Sequence, residues 1–449
     1  MKKNEILYLN LILLHVVIGF LVFLFPFFSK IYGYSIFVLG FYFVIKNQNK
    51  NNEALMAAAY VVGSEVFLRM THGNPLYEIS KYGVMFFVFI GMYFSGLSKN
   101  ATPYWLFLLL LVPSVVLSTF VLDFETDIKN AIAFNISGPV CLGVSSLYTF
   151  RRKISLSQIN SILLCMGLPI VTCMVYLTFY TPNIKDVITS TQSNFETSGG
   201  FGPNQVATIL GLGMFIFFSR IILESKTKYM VIINLIIALN ISYRGIVTFS
   251  RGGMITGLLM ILLLVFFLYF KSNFDGRVKL NYLIVLLSIT MVLIWVYTSF
   301  QTGGLIDKRY ANKDAAGRVK ESKFTGREDL AKEEIDIFLN NPIFGVGAGK
   351  GAEIRKAKTG GDVLSHDEIT RMLAEHGSLG VIGLLILFFT PLFLYIENKF
   401  NMYLLCFVVF WFLTINHAAM RTAAPAFVYS LSLLNVFFGE VPIKKRIIN

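Results

Sequence analysis

The sequence predicts an all-α polytopic integral membrane protein with about 12–14 transmembrane helices and one large outward-facing loop that carries short amphipathic helices. Three observations predict it. Of the 449 residues, 55% are hydrophobic and only 14% are charged, whereas a soluble domain carries about a quarter of its residues as charges. Apolar runs of roughly 16 to 23 residues, long enough to cross a bilayer as a helix, recur from end to end. Only the stretch from about Gln301 to His376 is polar over a length that would fold as a loop of its own.

The runs fall near residues 6–28, 31–46, 55–70, 82–97, 104–122, 131–149, 159–180, 204–223, 229–248, 253–270, 282–300, 378–396, 402–417 and 425–438. The first follows Met1-Lys2-Lys3, is too long for a signal-peptide core and has no small-residue cleavage site, so it reads as an uncleaved span. These runs divide the chain into amino-terminal spans (1–195), central spans (196–300), the large loop (301–377), and carboxyl-terminal spans with a tail (378–449). With a cytoplasmic amino terminus, the cytoplasmic loops hold Lys46 and Lys50, Lys99, Arg151-Arg152-Lys153, Lys226 and Lys228, Lys271 with Arg277 and Lys279, Lys399, and Lys444-Lys445-Arg446. The positive-inside rule then sends residues 301–376 outward. It also accounts for much of the net charge of +13, so nucleic-acid binding is not implied. Cys141, Cys165, Cys173 and Cys406 all lie in apolar runs and offer neither a disulfide framework nor a metal site.

Within the polar loop, Ser365 and Glu368 have the spacing of a capping box, which places His366 in the first turn of a helix that Gly377 stops or eases into the next span. The positive end of the helix dipole disfavours a protonated imidazole and favours an anion, so a neutral His366 is available as a base beside a bound phosphate. Asp367 and Arg371 on the same stretch are candidates for binding substrate. Thr325 and Glu328 form a second capping box. The Leu330, Ile337 and Phe338 spacing that follows predicts a short amphipathic helix on the membrane surface, ended by Asn340-Asn341-Pro342. Gly345-Val346-Gly347-Ala348-Gly349-Lys350-Gly351 lacks the spacing and the Ser or Thr of a P-loop. It reads as a flexible connection or a moving lid.

Further candidates sit at the outward ends of spans. Ser250-Arg251-Gly252-Gly253 joins a guanidinium, suited to bidentate phosphate contact, to two glycines that let backbone approach a ligand; snorkelling to lipid headgroups is the ordinary alternative. Arg244 inside the preceding apolar run favours a polar cavity there. In the turn ahead of the eighth span, Asn204 and Gln205 offer amides to sugar hydroxyls, with helix capping by Asn204 the plainer reading. Glu65 and Arg69, four residues apart, neutralise one another. His417 and Arg421 are weaker site candidates. No His, Cys, Asp or Glu cluster has metal spacing, and no cofactor is expected.

Taken together, these residues resemble the O-antigen ligase and O-antigen polymerase superfamily of bacterial membrane glycosyltransferases. The ligase pattern of His, an amide or hydroxyl residue, nine residues, Gly, two residues and Gly is matched by His366, Gly377 and Gly380, and departs at Asp367. Ser250-Arg251-Gly252-Gly253, Gly202-Pro203-Asn204 and Gly326-Arg327 are also similar to the family, and the resemblance covers about residues 195 to 395. It implies a GT-C-like fold in the bacterial inner membrane with a periplasmic active site. It further implies metal-independent transfer of a glycan from undecaprenyl diphosphate, with Arg251 and Arg327 stabilising the leaving diphosphate and His366 as general base. The partners implied are the lipid-linked oligosaccharide donor, a glycan or lipid A-core acceptor, membrane lipids and a chain-length regulator. Polymerisation onto another repeat unit leads. Ligation to lipid A-core and protein O-oligosaccharyl transfer are the alternatives within the family, and a polysaccharide flippase is the alternative from a different class.

Overall fold

The computed structural model describes residues 3–98, 100–320, 327–360, 365–398 and 400–437, the Arg327 and Thr359 side chains excepted. The expected apolar stretches are mainly helical there, except that the last, 425–438, is helical only to Leu431 and ends in a short strand. In chain order they begin with α1 (Lys3–Leu24), α2 (Phe28–Asn47), α3 (Glu53–Met70), α4 (Ile79–Ser95), α5 (Thr102–Val121), α6 (Ile128–Thr149) and α7 (Leu156–Tyr180). A single turn, α8 (Ile184–Val187), leads to α9 (Pro203–Leu223), α10 (Lys228–Ile246), α11 (Arg251–Lys271) and α12 (Phe274–Gln301). The polar segment holds α13 (Leu305–Tyr310), α14 (Arg327–Asn340) and α15 (Lys350–Thr359). The chain then runs through α16 (Glu368–Glu397), α17 (Leu404–Ile415) and α18 (Ala423–Leu431).

Among the described residues, ten helices are long and apolar enough to cross a membrane: α1, α2, α5, α6, α7, α9, α10, α11, α12 and α16. That is fewer than the 12–14 expected, for a physical reason. The α3 helix carries Glu53, Glu65 and Arg69, while α4, α17 and α18 have 17, 12 and 9 residues. At about 1.5 Å per residue, α17 covers roughly 18 Å of a hydrocarbon core near 30 Å thick. Such helices persist because the bundle buries them: α3 and α18 are buried along almost their whole length.

Close backbone contact holds the centre. A Cβ on Gly253 would stand 2.3 Å from the Ala207 carbonyl carbon, and one on Gly211 would stand 2.1 Å from the Gly253 oxygen. Small residues let membrane helices approach in this way. Gly253 therefore serves the α9–α11 contact, not backbone approach to a ligand.

Helix ends sort onto two faces. On one, β1 (Lys153–Ser155) pairs in parallel with β2 (Asn435–Phe437), and Arg151 meets Glu397 at 2.7 Å. This face holds the basic loops around Lys50, Arg152 and Lys226; Lys99, Lys399 and Lys444-Lys445-Arg446 lie outside the described residues. The other face carries the polar segment.

On that face the glycine-rich run is a packed strap and not a loose lid. Gly345, Gly347 and Gly349 all take left-handed φ values of 68°, 95° and 89°. Val346 and Gly347 donate backbone hydrogen bonds to the carbonyls of Ala374 and Glu375, and Ser118 Oγ donates to the Ala348 carbonyl. The strap grips α16 where that helix bends at Gly377, with φ 60° and ψ −143°. A Cβ on Gly377 would lie 2.5 Å from the Ile343 oxygen. Gly377 thus eases the helix into the next span through a kink. The α14 helix turns Glu334 and Ile337 inward and leaves Ile335 and Leu339 exposed. It roofs a cavity, and its membrane-ready face is not the one the Leu330 and Ile337 spacing predicts.

Candidate active site

On the polar face a cavity of about 710 Å³ opens between α9, α11, α13, α14, the start of α16 and the segment after α17. One wall is basic. Arg251, the first residue of α11, donates from Nη1 to the Arg309 carbonyl at 3.3 Å, and Arg309 donates from Nε to the Phe249 carbonyl at 2.9 Å. Both residues line the cavity, and Arg309 Nη2 also donates to Ser193 Oγ at 3.3 Å. Phe249 has φ 59°, so the chain turns sharply into α11, and Arg309 holds that turn. Ser250 Oγ donates to Asn204 Oδ1 at 2.7 Å, joining the start of α11 to that of α9. Burial first, and then the charges of Arg309 and Arg251, push the Lys320 ammonium below its usual range. Like charges gathered on one wall are an arrangement that an anionic ligand stabilises.

The facing wall carries hydroxyls and acids. Glu334 is buried and accepts from Arg355 at 2.9 Å, Ser365 Oγ at 3.2 Å and Thr370 Oγ1 at 2.5 Å. Burial raises its carboxyl above the usual range, against the pull of these partners. Ser365 and Thr370 bracket His366, which lines the cavity together with Asp367. The Arg421 guanidinium donates to the Ser365 carbonyl at 2.5 Å.

Residues 235–388 match the family model described as O-Antigen ligase. This segment is similar to O-antigen ligases, which supports the O-antigen ligase and polymerase superfamily, and the ten long apolar helices point to a multi-pass membrane protein. No curated protein matches the chain. The matched segment begins in α10 and ends within α16, so it includes Arg251, Arg309, Arg327, His366 and Asp367. Asn204 and His417 reach the same cavity from outside it.

Of the expected site residues, His366, Arg251, Asp367 and Asn204 converge on this cavity. Arg327 opens α14, but its side chain lies outside the described residues; the same holds for Thr325 of the second capping box. The cap of α16 differs from the expected one. Asp367 is the N-cap, its Oδ1 accepting the Ile369 amide at 2.8 Å, while Ser365 is engaged with Glu334 and with the Asp367 backbone. His366 therefore sits just ahead of the helix, not in its first turn, and still at its positive end. Burial raises the Asp367 carboxyl, partly offset by the amide hydrogen bonds it accepts.

Three candidates do not reach the cavity. Arg244 is buried and donates to the carbonyls of Thr181 and Thr178, closing the end of α7. Arg371 pairs with Glu368 and, at 3.2 Å, with Glu375, and donates to Asn135 Oδ1 at 2.7 Å. Gln205 is not among the lining residues, and Asn204 lies inside α9 behind a Gly202 N-cap. Sequence reasoning missed Arg309, and it weighed Glu334 only as an acid paired with Asp336 for a metal it did not require; the signal for a place on the wall is the inward helical register of Glu334 with Ile337.

Glu65 and Arg69 pair at 2.7 Å, as expected, within a buried network that also holds Glu78 and Lys81.

Proposed function

We propose that the protein is a surface-polysaccharide polymerase that moves a glycan from undecaprenyl diphosphate to a sugar hydroxyl of another repeat unit, at the outer face of the bacterial inner membrane. The observation that carries this reading is the convergence of His366 with Arg251 and Arg309 on one cavity, on the face opposite the basic loops. In the reaction the acceptor oxygen bonds to the anomeric carbon as the bond from that carbon to the phosphate oxygen breaks. His366 takes the proton of the acceptor hydroxyl, as general-base catalysis requires. The diphosphate leaves with the electron pair, and fixed guanidinium groups stabilise the charge it gains. Arg251 and Arg309 are assigned that task from their place on the wall, and Arg327 by family resemblance alone. A smaller apolar cavity of about 170 Å³ between α9, α10, α11 and α12 shares Ile255 and Tyr310 with the main one, which suits the first isoprene units of the carrier.

The test is direct. Purified protein given its lipid-linked repeat lengthens the glycan and releases undecaprenyl diphosphate, and His366→Ala lowers both by about 10²–10⁴-fold. Turnover near wild type in that variant removes the base assignment. Ligation to lipid A-core is the second reading, favoured by the spacing of His366, Gly377 and Gly380. A deletion strain separates the two: a single repeat on the core supports polymerisation, whereas full-length polymer left on the carrier supports ligation.

A further inference from the structure

Between α17 and α18 the chain leaves helical geometry, and buried charges hold it there. Glu368 Oε2 accepts the Met420 amide at 3.2 Å and Glu65 Oε2 accepts the Ala423 amide at 2.7 Å, while Arg69 Nη1 donates to the Arg421 carbonyl at 3.1 Å. Irregular backbone at membrane depth persists only where protein groups satisfy it. Ala419 takes φ 51°, a conformation that alanine adopts under such constraint. What this segment presents to the cavity is Asn416 and His417.

The His417 ring is fixed on three sides. Nδ1 lies 2.7 Å from the Leu413 carbonyl, which can only accept, so Nδ1 carries a hydrogen. Nε2 lies 3.2 Å from Thr208 Oγ1, and that hydroxyl has its own acceptor in the Asn204 carbonyl at 2.7 Å. A hydroxyl has one hydrogen to give. With it directed at Asn204, the oxygen lone pairs face Nε2, and the partner they fit is Nε2–H. Gly252 closes the third side, since a Cβ there would stand 2.7 Å from the ring.

We propose that His417 is a second functional imidazole of this cavity, a positioning residue that takes up a proton at Nε2 when a phosphate anion occupies the space beside Arg251. The inference rests on reading the cavity as a diphosphate site. The end of α17 favours the charged ring, as do Glu328 and Glu334 on α14 and Asp367 ahead of α16. Arg251, Arg309 and Arg421 oppose it, and His366 and Tyr310 are the other titratable groups of the same walls. An arriving anion tips that balance, so proton and ligand bind together.

The experiment is calorimetric titration of undecaprenyl diphosphate into the full-length protein in nanodiscs at pH 7, in two buffers of different ionisation enthalpy. Wild type takes up about one more proton per ligand than His417→Gln, and its affinity falls by up to about tenfold per pH unit above neutrality while that of the variant stays flatter. Thr208→Val, which removes the oxygen facing Nε2, serves as the second variant. Loss of uptake in either variant, at wild-type elution and melting, supports the assignment. Unchanged uptake in both overturns it, because the proton then goes to His366 or to the phosphate. Wild type binding undecaprenyl diphosphate no better than undecaprenol would instead remove the diphosphate reading itself.

Discussion

Two pairs of arginines in this protein, all buried except the half-buried Arg251, are used differently. Arg69 and Arg371 lie against carboxylates, Glu65 and Glu78 for the first and Glu368 and Glu375 for the second, and both brace the polar face of the bundle. Arg251 and Arg309 are steered by the carbonyls of Arg309 and Phe249 and stand on the wall of the large cavity. An arginine within a membrane bundle is costly wherever it sits. What distinguishes a brace from a site is therefore the surface it faces, which only the fold supplies.

The strongest way to break this comparison is by activity. His366→Ala should lower transfer by about 10²–10⁴-fold and Arg251→Ala by about 10²–10³-fold, with melting temperatures close to wild type, both read by release of undecaprenyl diphosphate from purified protein. A brace behaves in the opposite way. Arg69→Met leaves Glu65 buried beside an apolar chain and should cost about 3–5 kcal/mol of stability, while the turnover of molecules that remain folded stays near wild type. Full stability with lost turnover in Arg69→Met would place that residue in the site instead.

Glu334 lies between the two classes, because it is buried against Arg355 and also lines the cavity. Its carboxyl is raised in the folded protein, chiefly by burial, so the folded chain holds that proton more tightly than the unfolded one. The resulting stabilisation is present at acid pH and is lost as pH rises through the raised value. Melting of wild type relative to Glu334→Gln should fall over that window and then level off; a difference independent of pH would show that the carboxyl does not titrate in the folded state. The smallest effect is expected on the basic face. Arg151→Ala removes a solvent-exposed pair with Glu397, and should change stability by less than about 1 kcal/mol and leave turnover untouched in the same assays.

The sequence made the helices legible because an apolar run reports directly on the solvent that must surround it. It also marked His366 and Arg251, whose neighbours carry turn and cap residues. It was a poor guide where one residue type serves two ends. Glycines at 345, 347 and 349 read as freedom, yet their positive φ values pin a strap against α16. Ser365 and Asp367 are both good caps, and only the approach of Glu334 decides between them. Arg309 is one cation among many in a polar loop until α13 folds back on Phe249.

The bend at Gly377 separates the stretch that follows His366 from the long apolar run of α16. Ahead of it, the stretch from His366 to His376 is tied to α6 through Asn135 and to α5 through Ser114, both of which precede the segment that matches the O-antigen ligase family. A chimera that grafts residues 235–388 onto foreign leading helices would keep every motif of the matched segment and lose the two struts that hold the His366–His376 stretch in place.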